Sequence, residues 1–192
     1  MVHFVGAGCG APDLITLRGH RLLSEADVVI YAGSLVNPAL LEAAKPGCEI
    51  HDSAGMTLEE VFAVVRAAEA TGKTTVRLHT GDTALYSAIR EQIDLLKSAG
   101  IPYDVTPGVS AFSGAAAALG VEYTLPGVSQ SVVITRMAGR TPVPEREEIA
   151  SFAAHGATMV IFLSTGLLSE LRERLLTGGY REDTPAAIVY KA

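Results

Sequence analysis

With 192 residues, 48% of them hydrophobic and 19% charged, the chain can fill a generous core, which excludes intrinsic disorder. A formal net charge of −6, from 15 basic and 21 acidic side chains with no basic run, leaves nucleic acid without an electrostatic footprint. No stretch approaches roughly 18 consecutive apolar residues and no basic flank precedes the first apolar segment, so neither a membrane span nor a secretory signal is expected.

Short β-branched runs alternate with helical periodicity, the pattern of βαβ units around a mainly parallel sheet, and the fold class read from it is α/β. The first strand is expected over residues 2–5. A glycine turn follows, Gly6-Ala-Gly8-Cys9-Gly10-Ala-Pro12-Asp13, and Pro12-Asp13 delays helical periodicity to about Thr16. A second strand is predicted over 27–31, leading into Tyr31-Ala-Gly-Ser34. Asn37-Pro38 then reads as an N-cap followed by the first helical residue. A third strand is predicted over 48–51. Thr57-Leu-Glu-Glu60 is a capping box for a helix that Gly72 stops. The fourth strand, 74–79, ends in Thr80-Gly81-Asp82, and the apolar spacing predicts a helix over 84–98. A fifth strand over 103–106 meets the turn Pro107-Gly-Val-Ser110-Ala111 and an alanine-rich helix over 110–119.

Around 122–129 a loop with a Leu-Pro-Gly turn suggests a boundary, giving an N-terminal domain over 1–120 and a partial C-terminal domain over 121–192. The second half is expected to hold strands over 131–136, 158–163 and 186–190 and helices over 145–154 and 167–176. Ending on a strand at 190 would leave a parallel sheet with an abruptly exposed edge, so a C-terminally truncated domain is expected.

Cys9 and Cys48 form no CxxC spacing and the five histidines are scattered, so no metal site is expected, and free thiols in a reducing cytoplasm are. In an open parallel sheet, ligands bind outside the carboxyl ends of the strands, where four unusual loops fall: 6–13, 31–34, 80–82 and 107–111. Gly6-x-Gly8-x-x-Ala11 also fits a dinucleotide fingerprint, which would make the chain a nicotinamide-dependent reductase. Two features oppose that reading: the late helix start, and Ala32-Gly33 where a ribose-binding acid should stand. GxSxG and GxxxxGK[ST] are absent, which removes serine hydrolase and P-loop chemistry.

Taken together, these segments resemble the tetrapyrrole (corrin/porphyrin) methylases. The run from Val5 to Gly19 is similar to that family's opening signature, Arg77-Leu-His-Thr-Gly-Asp82 to its central motif, and Pro107-Gly-Val-Ser-Ala-Phe-Ser-Gly114 to its third. Segments 31–36, 51–57 and 122–136 are most similar to the branch that methylates C11 of precorrin-4 or cobalt-precorrin-4. The resemblance implies two αβα domains with S-adenosylmethionine between them, S-adenosylhomocysteine as product, a polycarboxylate tetrapyrrole as acceptor and usually a homodimer. By motif position, it implies cofactor contacts at Cys9, Thr80, Gly81, Asp82, Leu85, Ser110, Ala111, Leu163 and Ala192. It assigns Gly6, Gly8, Gly10 and Asp13 to the tetrapyrrole trough. For the acceptor's carboxylates the candidates are Arg18, Arg136 and Arg140, since guanidinium grips carboxylate bidentately. Cys9 and Thr83 stand where the family often has proline. Methyl transfer from a sulfonium needs alignment more than acid–base help; Asp82 and Asp13 are the nearest candidates for a base, and neither is assigned as one. Two alternatives stay open besides the reductase: methylation of another tetrapyrrole carbon, and a truncated homologue that binds without turnover.

Overall fold

The structure, a computed structural model, describes residues 1–33, 35–139 and 141–190. Two compact units divide the chain, Met1–Ala115 and Ala116–Tyr190.

In the first unit five parallel strands form one sheet: β1 (Val2–Gly6), β2 (Val28–Tyr31), β3 (Glu49–Asp52), β4 (Thr75–His79) and β5 (Tyr103–Thr106). Their spatial order is β3-β2-β4-β1-β5, so β1 and β4 lie side by side in the interior with their carboxyl ends together. Helices cover both faces. Val5, Val29, Val76 and Leu78 pack with Leu23 of α1 (Leu17–Glu25) and with Val36 and Leu40. On the other face Val2, Phe4, Val28 and Ile30 meet Val61, Val65 and Ala68 of α2 (Leu58–Ala70) and Leu96 of α3 (Ile89–Ser98). Burying one such aliphatic side chain contributes about 1.5–3 kcal/mol, so these two layers carry the unit.

Local signals set the element ends. Thr57 Oγ1 accepts from Glu60 N at 3.2 Å, and Glu60 Oε2 accepts from Thr57 N at 2.7 Å, completing the capping box. Gly72 follows α2 with φ +70°, a left-handed geometry that suits glycine. After the glycine turn a 3₁₀ turn spans Pro12–Leu14, and α1 begins only at Leu17, with Thr16 Oγ1 accepting from Gly19 N. The Asn37-Pro38 start holds, but the segment Pro38–Ala43 is a 3₁₀ helix.

The helix expected over 84–98 starts at Ile89. Side chains compete for its first turn: Asp82 Oδ1 accepts from Ala84 N at 2.8 Å, and Ser87 Oγ donates to Asp82 O at 3.0 Å. Tyr86 and Ala88 take φ +54° and +49°, which no α-helix contains.

α4 (Ala111–Leu119) carries the chain from residue 111 across 115–116. The second unit pairs β6 (Val132–Arg136) with β7 (Thr158–Phe162) in parallel. The helix expected over 145–154 is instead a 3₁₀ turn, Glu145–Glu147, and then α5 (Ile149–Ala153), because Glu148 between them is extended at ψ 151°. α6 (Leu168–Thr177) packs on α5, and Arg174 bridges Glu170 and Glu148 at 2.7 and 3.0 Å. Residues 186–190, expected as a strand, form none: they enter no ladder, and Ile188 and Tyr190 are exposed. Among the described residues no helix is long and apolar enough to cross a membrane.

Candidate functional site

At the carboxyl rim of the first unit's sheet the turns are joined by their backbones. Gly8 N donates to Gly81 O at 3.2 Å and Gly81 N returns a bond to Gly8 O at 2.8 Å, while Ala7 N donates to His79 O at 2.7 Å. The turn after β1 is thus laced to the turn after β4. The turn after β5 joins them through Asp82, whose Oδ2 accepts from Gly108 N at 2.8 Å. Asn37, beyond β2, reaches the glycine turn by donating to Gly10 O at 2.9 Å.

Close approach is why glycines stand here. A β-carbon on Gly6 would lie 2.5 Å from Gly108 N and 2.7 Å from Gly81 O; one on Gly108 would lie 2.1 Å from Gly81 O. Real β-carbons do not approach backbone that closely, so three strand ends can meet only without side chains. Gly81 (φ +64°) sits in turn against the start of α4, its β-carbon position 3.5 Å from Ala111 N.

Gly6, Gly8, Gly10, Cys9, Thr80, Gly81, Asp82, Leu85, Ser110 and Ala111 therefore belong to one rim, with Leu85 N donating to Asp82 O at 3.3 Å. Cys9 and Ser110 are buried in it. Thr80 Oγ1 is also buried and has no hydrogen-bond partner, an unmet capacity that a polar ligand group would satisfy. Asp13 and Arg18 stand exposed on the 3₁₀ turn and the first turn of α1, outside the hydrogen bonds that join the rim. Leu163 and Arg136 belong to the second unit. Leu163 is 73% exposed with φ +56° at the end of β7, and Arg136 closes β6. Arg140 and Ala192 lie outside the described residues.

Sequence reasoning missed three supports of this rim. Asp52, at the end of β3, accepts from Gly33 N and Ala54 N at 2.9 Å each and shapes the turn after β2. Arg77 and His79, on the β4 face toward α2 and α3, are buried immediately below the Thr80-Gly81-Asp82 turn. Arg77 donates from Nε to Gln92 Oε1 at 3.1 Å and from Nη1 to Ile30 O at 3.2 Å; burial lowers its pKa to about 10, so it remains a cation at neutral pH. Burial and the neighbouring Arg77 lower His79 to about 3, which keeps the imidazole neutral, its ring 5.9 Å from that of Phe4. Among the described residues no group of three or more His, Cys, Asp or Glu side chains is placed to hold a metal ion.

Such a rim offers backbone amides and carbonyls, one orphaned hydroxyl and few titratable groups. It suits a ligand that needs to be aligned more than protonated or deprotonated.

Residues 1–192 match the family model for tetrapyrrole (corrin/porphyrin) methylases. Over 191 residues the chain is 53% identical to a cobalt-precorrin-4 C(11)-methyltransferase of Methanocaldococcus jannaschii, covering 100% of this chain and 74% of that one. The X-ray structure of a cobalamin biosynthetic enzyme, a cobalt-precorrin-4 methyltransferase, matches with a TM-score of 0.91 at 45% identity, over 95% of this chain and 76% of that one. A uroporphyrin-III C-methyltransferase of Thermus thermophilus complexed with S-adenosylhomocysteine matches with a TM-score of 0.75 at 30% identity, over 94% and 73%.

Proposed function

Because the chain belongs to the tetrapyrrole (corrin/porphyrin) methylases, we propose that it transfers the methyl group of S-adenosylmethionine to C11 of precorrin-4 or its cobalt form, in cobalamin biosynthesis. The observation that carries the reading is the rim in which Gly6, Gly81 and Gly108 meet at backbone distance.

Bound there, S-adenosylmethionine supplies a methyl group already activated by its sulfonium. The protein's work is then to hold carbon, methyl and sulfur in line and to keep water away. Thr80, Gly81, Asp82, Leu85, Ser110 and Ala111 are the residues we assign to the donor, with Thr80 Oγ1 satisfied by one of its polar groups. Gly6, Gly8, Gly10 and Asp13 are assigned to the acceptor. Arg18, exposed on α1, is free to grip a carboxylate. Asp82 spends one carboxylate oxygen on Gly108 N and the other on Ala84 N, which makes it a strut of the rim and a poor base. On the family resemblance the enzyme works as a cytoplasmic homodimer.

A nicotinamide-dependent reductase is disfavoured because α1 starts only at Leu17, so no helix N-terminus opens at the glycine turn to hold a pyrophosphate. Incubation with precorrin-4 and methyl-labelled S-adenosylmethionine tests the proposal: label at C11 supports it, label at another carbon corrects the position, and binding without transfer rejects the activity.

A further inference from the structure

Between β4 and α3 the chain takes a shape that its residue types disfavour. Tyr86 and Ala88 lie at φ +54° and +49°, and Ser87 stands between them. A left-handed backbone is costly for any residue with a β-carbon, most of all a bulky one, and neither position is glycine. Running α3 back from Ile89 through residue 84 would relieve the strain, and the apolar spacing allows it.

The Ser87 hydroxyl holds the strained form from its middle. It donates to Asp82 O at 3.0 Å and also reaches Leu85 O at 3.3 Å. In an α-helix those carbonyls would accept the amides four residues on, so the side chain stands in for a ladder that the two left-handed residues break. Both ends of the turn are anchored within the first unit. Upstream, Asp82 accepts from Gly108 N and Ala84 N at 2.8 Å each, and its carbonyl also accepts from Leu85 N at 3.3 Å. Downstream, Gln92 Nε2 donates to Ala88 O at 3.1 Å while Gln92 Oε1 accepts from buried Arg77.

Strain of this kind persists where surrounding bonds over-determine it, and it clusters at ligand clamps. Here it falls just past the carboxyl end of interior strand β4, in the turn that carries Asp82 and Leu85. Resting on the methyltransferase reading above, we propose that Ser87 is a positioning residue for S-adenosylmethionine, its hydroxyl locking residues 82–88 in the donor-binding shape before the donor arrives. Without the lock the turn relaxes toward helix and must be re-formed on binding, which weakens the donor complex. The residues assigned to the acceptor, Gly6 to Asp13, lie on a different turn, so acceptor binding is spared.

Ser87→Ala and Ser87→Thr are tested in the whole chain, with thermal unfolding to show that each is folded. S-adenosylhomocysteine affinity is measured by calorimetry, amide hydrogen exchange is followed over 83–88 in the ligand-free protein, and KM is measured for each substrate. For Ser87→Ala we expect faster exchange, S-adenosylhomocysteine bound about tenfold more weakly, tetrapyrrole KM within about twofold of the parent and kcat at saturation kept. Ser87→Thr keeps the hydroxyl and should recover affinity to within about threefold of the parent. If Ser87→Ala does not fold, Ser87→Cys, whose thiol is a weak donor, takes its place with changes in the same directions. Faster exchange with unchanged affinity overturns the proposal. Weakened affinity with unchanged exchange overturns it too, because Ser87 would then touch the donor itself, and so does equal weakening in Ser87→Thr and Ser87→Ala. A parent that binds no S-adenosylhomocysteine rejects the methyltransferase reading, whereas a parent and variants that all bind it equally reject only the role of Ser87.

Discussion

The amide of Gly108 donates to Asp82 Oδ2 at 2.8 Å, while Asp82 Oδ1 accepts from Ala84 N at the same distance. One short side chain thereby ties the turn after β5 to the turn after β4 and bends the chain away from the helical path its apolar spacing suggests. Asp82→Asn keeps the shape but turns a donor toward one of two backbone donors. We expect a loss of about 1–3 kcal/mol in denaturant unfolding, since one amide is left unpaired, and weaker S-adenosylhomocysteine binding. An Asn variant equal to the parent in both measurements would remove the strut from the account.

Gly108→Ala and Gly6→Ala force a β-carbon against backbone that cannot yield, 2.1 Å from Gly81 O and 2.5 Å from Gly108 N respectively. Both variants should lose several kcal/mol of stability, on the scale of an overpacked core or more, and lose ligand binding. Gly55→Ala is the control, because nothing lies within 4 Å of its β-carbon position; it should unfold like the parent. Equal behaviour of all three in thermal unfolding would contradict the close approach.

Burial holds His79 at a pKa of about 3, below the 6.5 of an exposed histidine. Between those values the unfolded chain binds a proton that the folded chain refuses. The stabilisation is therefore complete above pH 6.5 and is lost as pH falls toward 3, at about 1.4 kcal/mol per pH unit. From pH 6.5 to 5, the parent should lose about 2 kcal/mol more than His79→Gln in urea unfolding. Parallel curves for the two proteins would mean that His79 accepts a proton in place.

Arg77 is a buried cation whose Nε relies on Gln92 Oε1 at 3.1 Å. Gln92→Leu should cost about 1–3 kcal/mol by stranding that donor. The double variant Arg77→Met/Gln92→Leu should cost less than the sum of the two single changes, because the charge and its partner leave together. Additivity in a double-mutant cycle would deny the coupling.

Much of this architecture is legible in residue patterns. The β-branched runs before each glycine turn place the strands within a residue or so, and Thr57 and Glu60 form the capping box their spacing predicts. The glycines at 6, 81 and 108 could be read as turns; that they touch one another depends on the strand order β4-β1-β5, which no local pattern carries. Periodicity over 84–98 misleads because Asp82 and Ser87 hold the first turn open by side-chain bonds that an apolar count does not register. Thr75, Arg77 and His79 alternate with Val76 and Leu78 along β4, and because helices cover both faces of the sheet this polar set is buried too. In sequence Arg136 is a candidate for the acceptor's carboxylates; its three backbone carbonyl partners show that its donors are already engaged.

The most direct test of the account is a crystal structure of the protein with S-adenosylhomocysteine. The account predicts the ligand against residues 80–85 and 110–111, with Thr80 Oγ1 hydrogen-bonded to it and Gly6 and Gly108 still in backbone contact. Ligand density elsewhere, with Thr80 Oγ1 still unpaired and the rim empty, would contradict it.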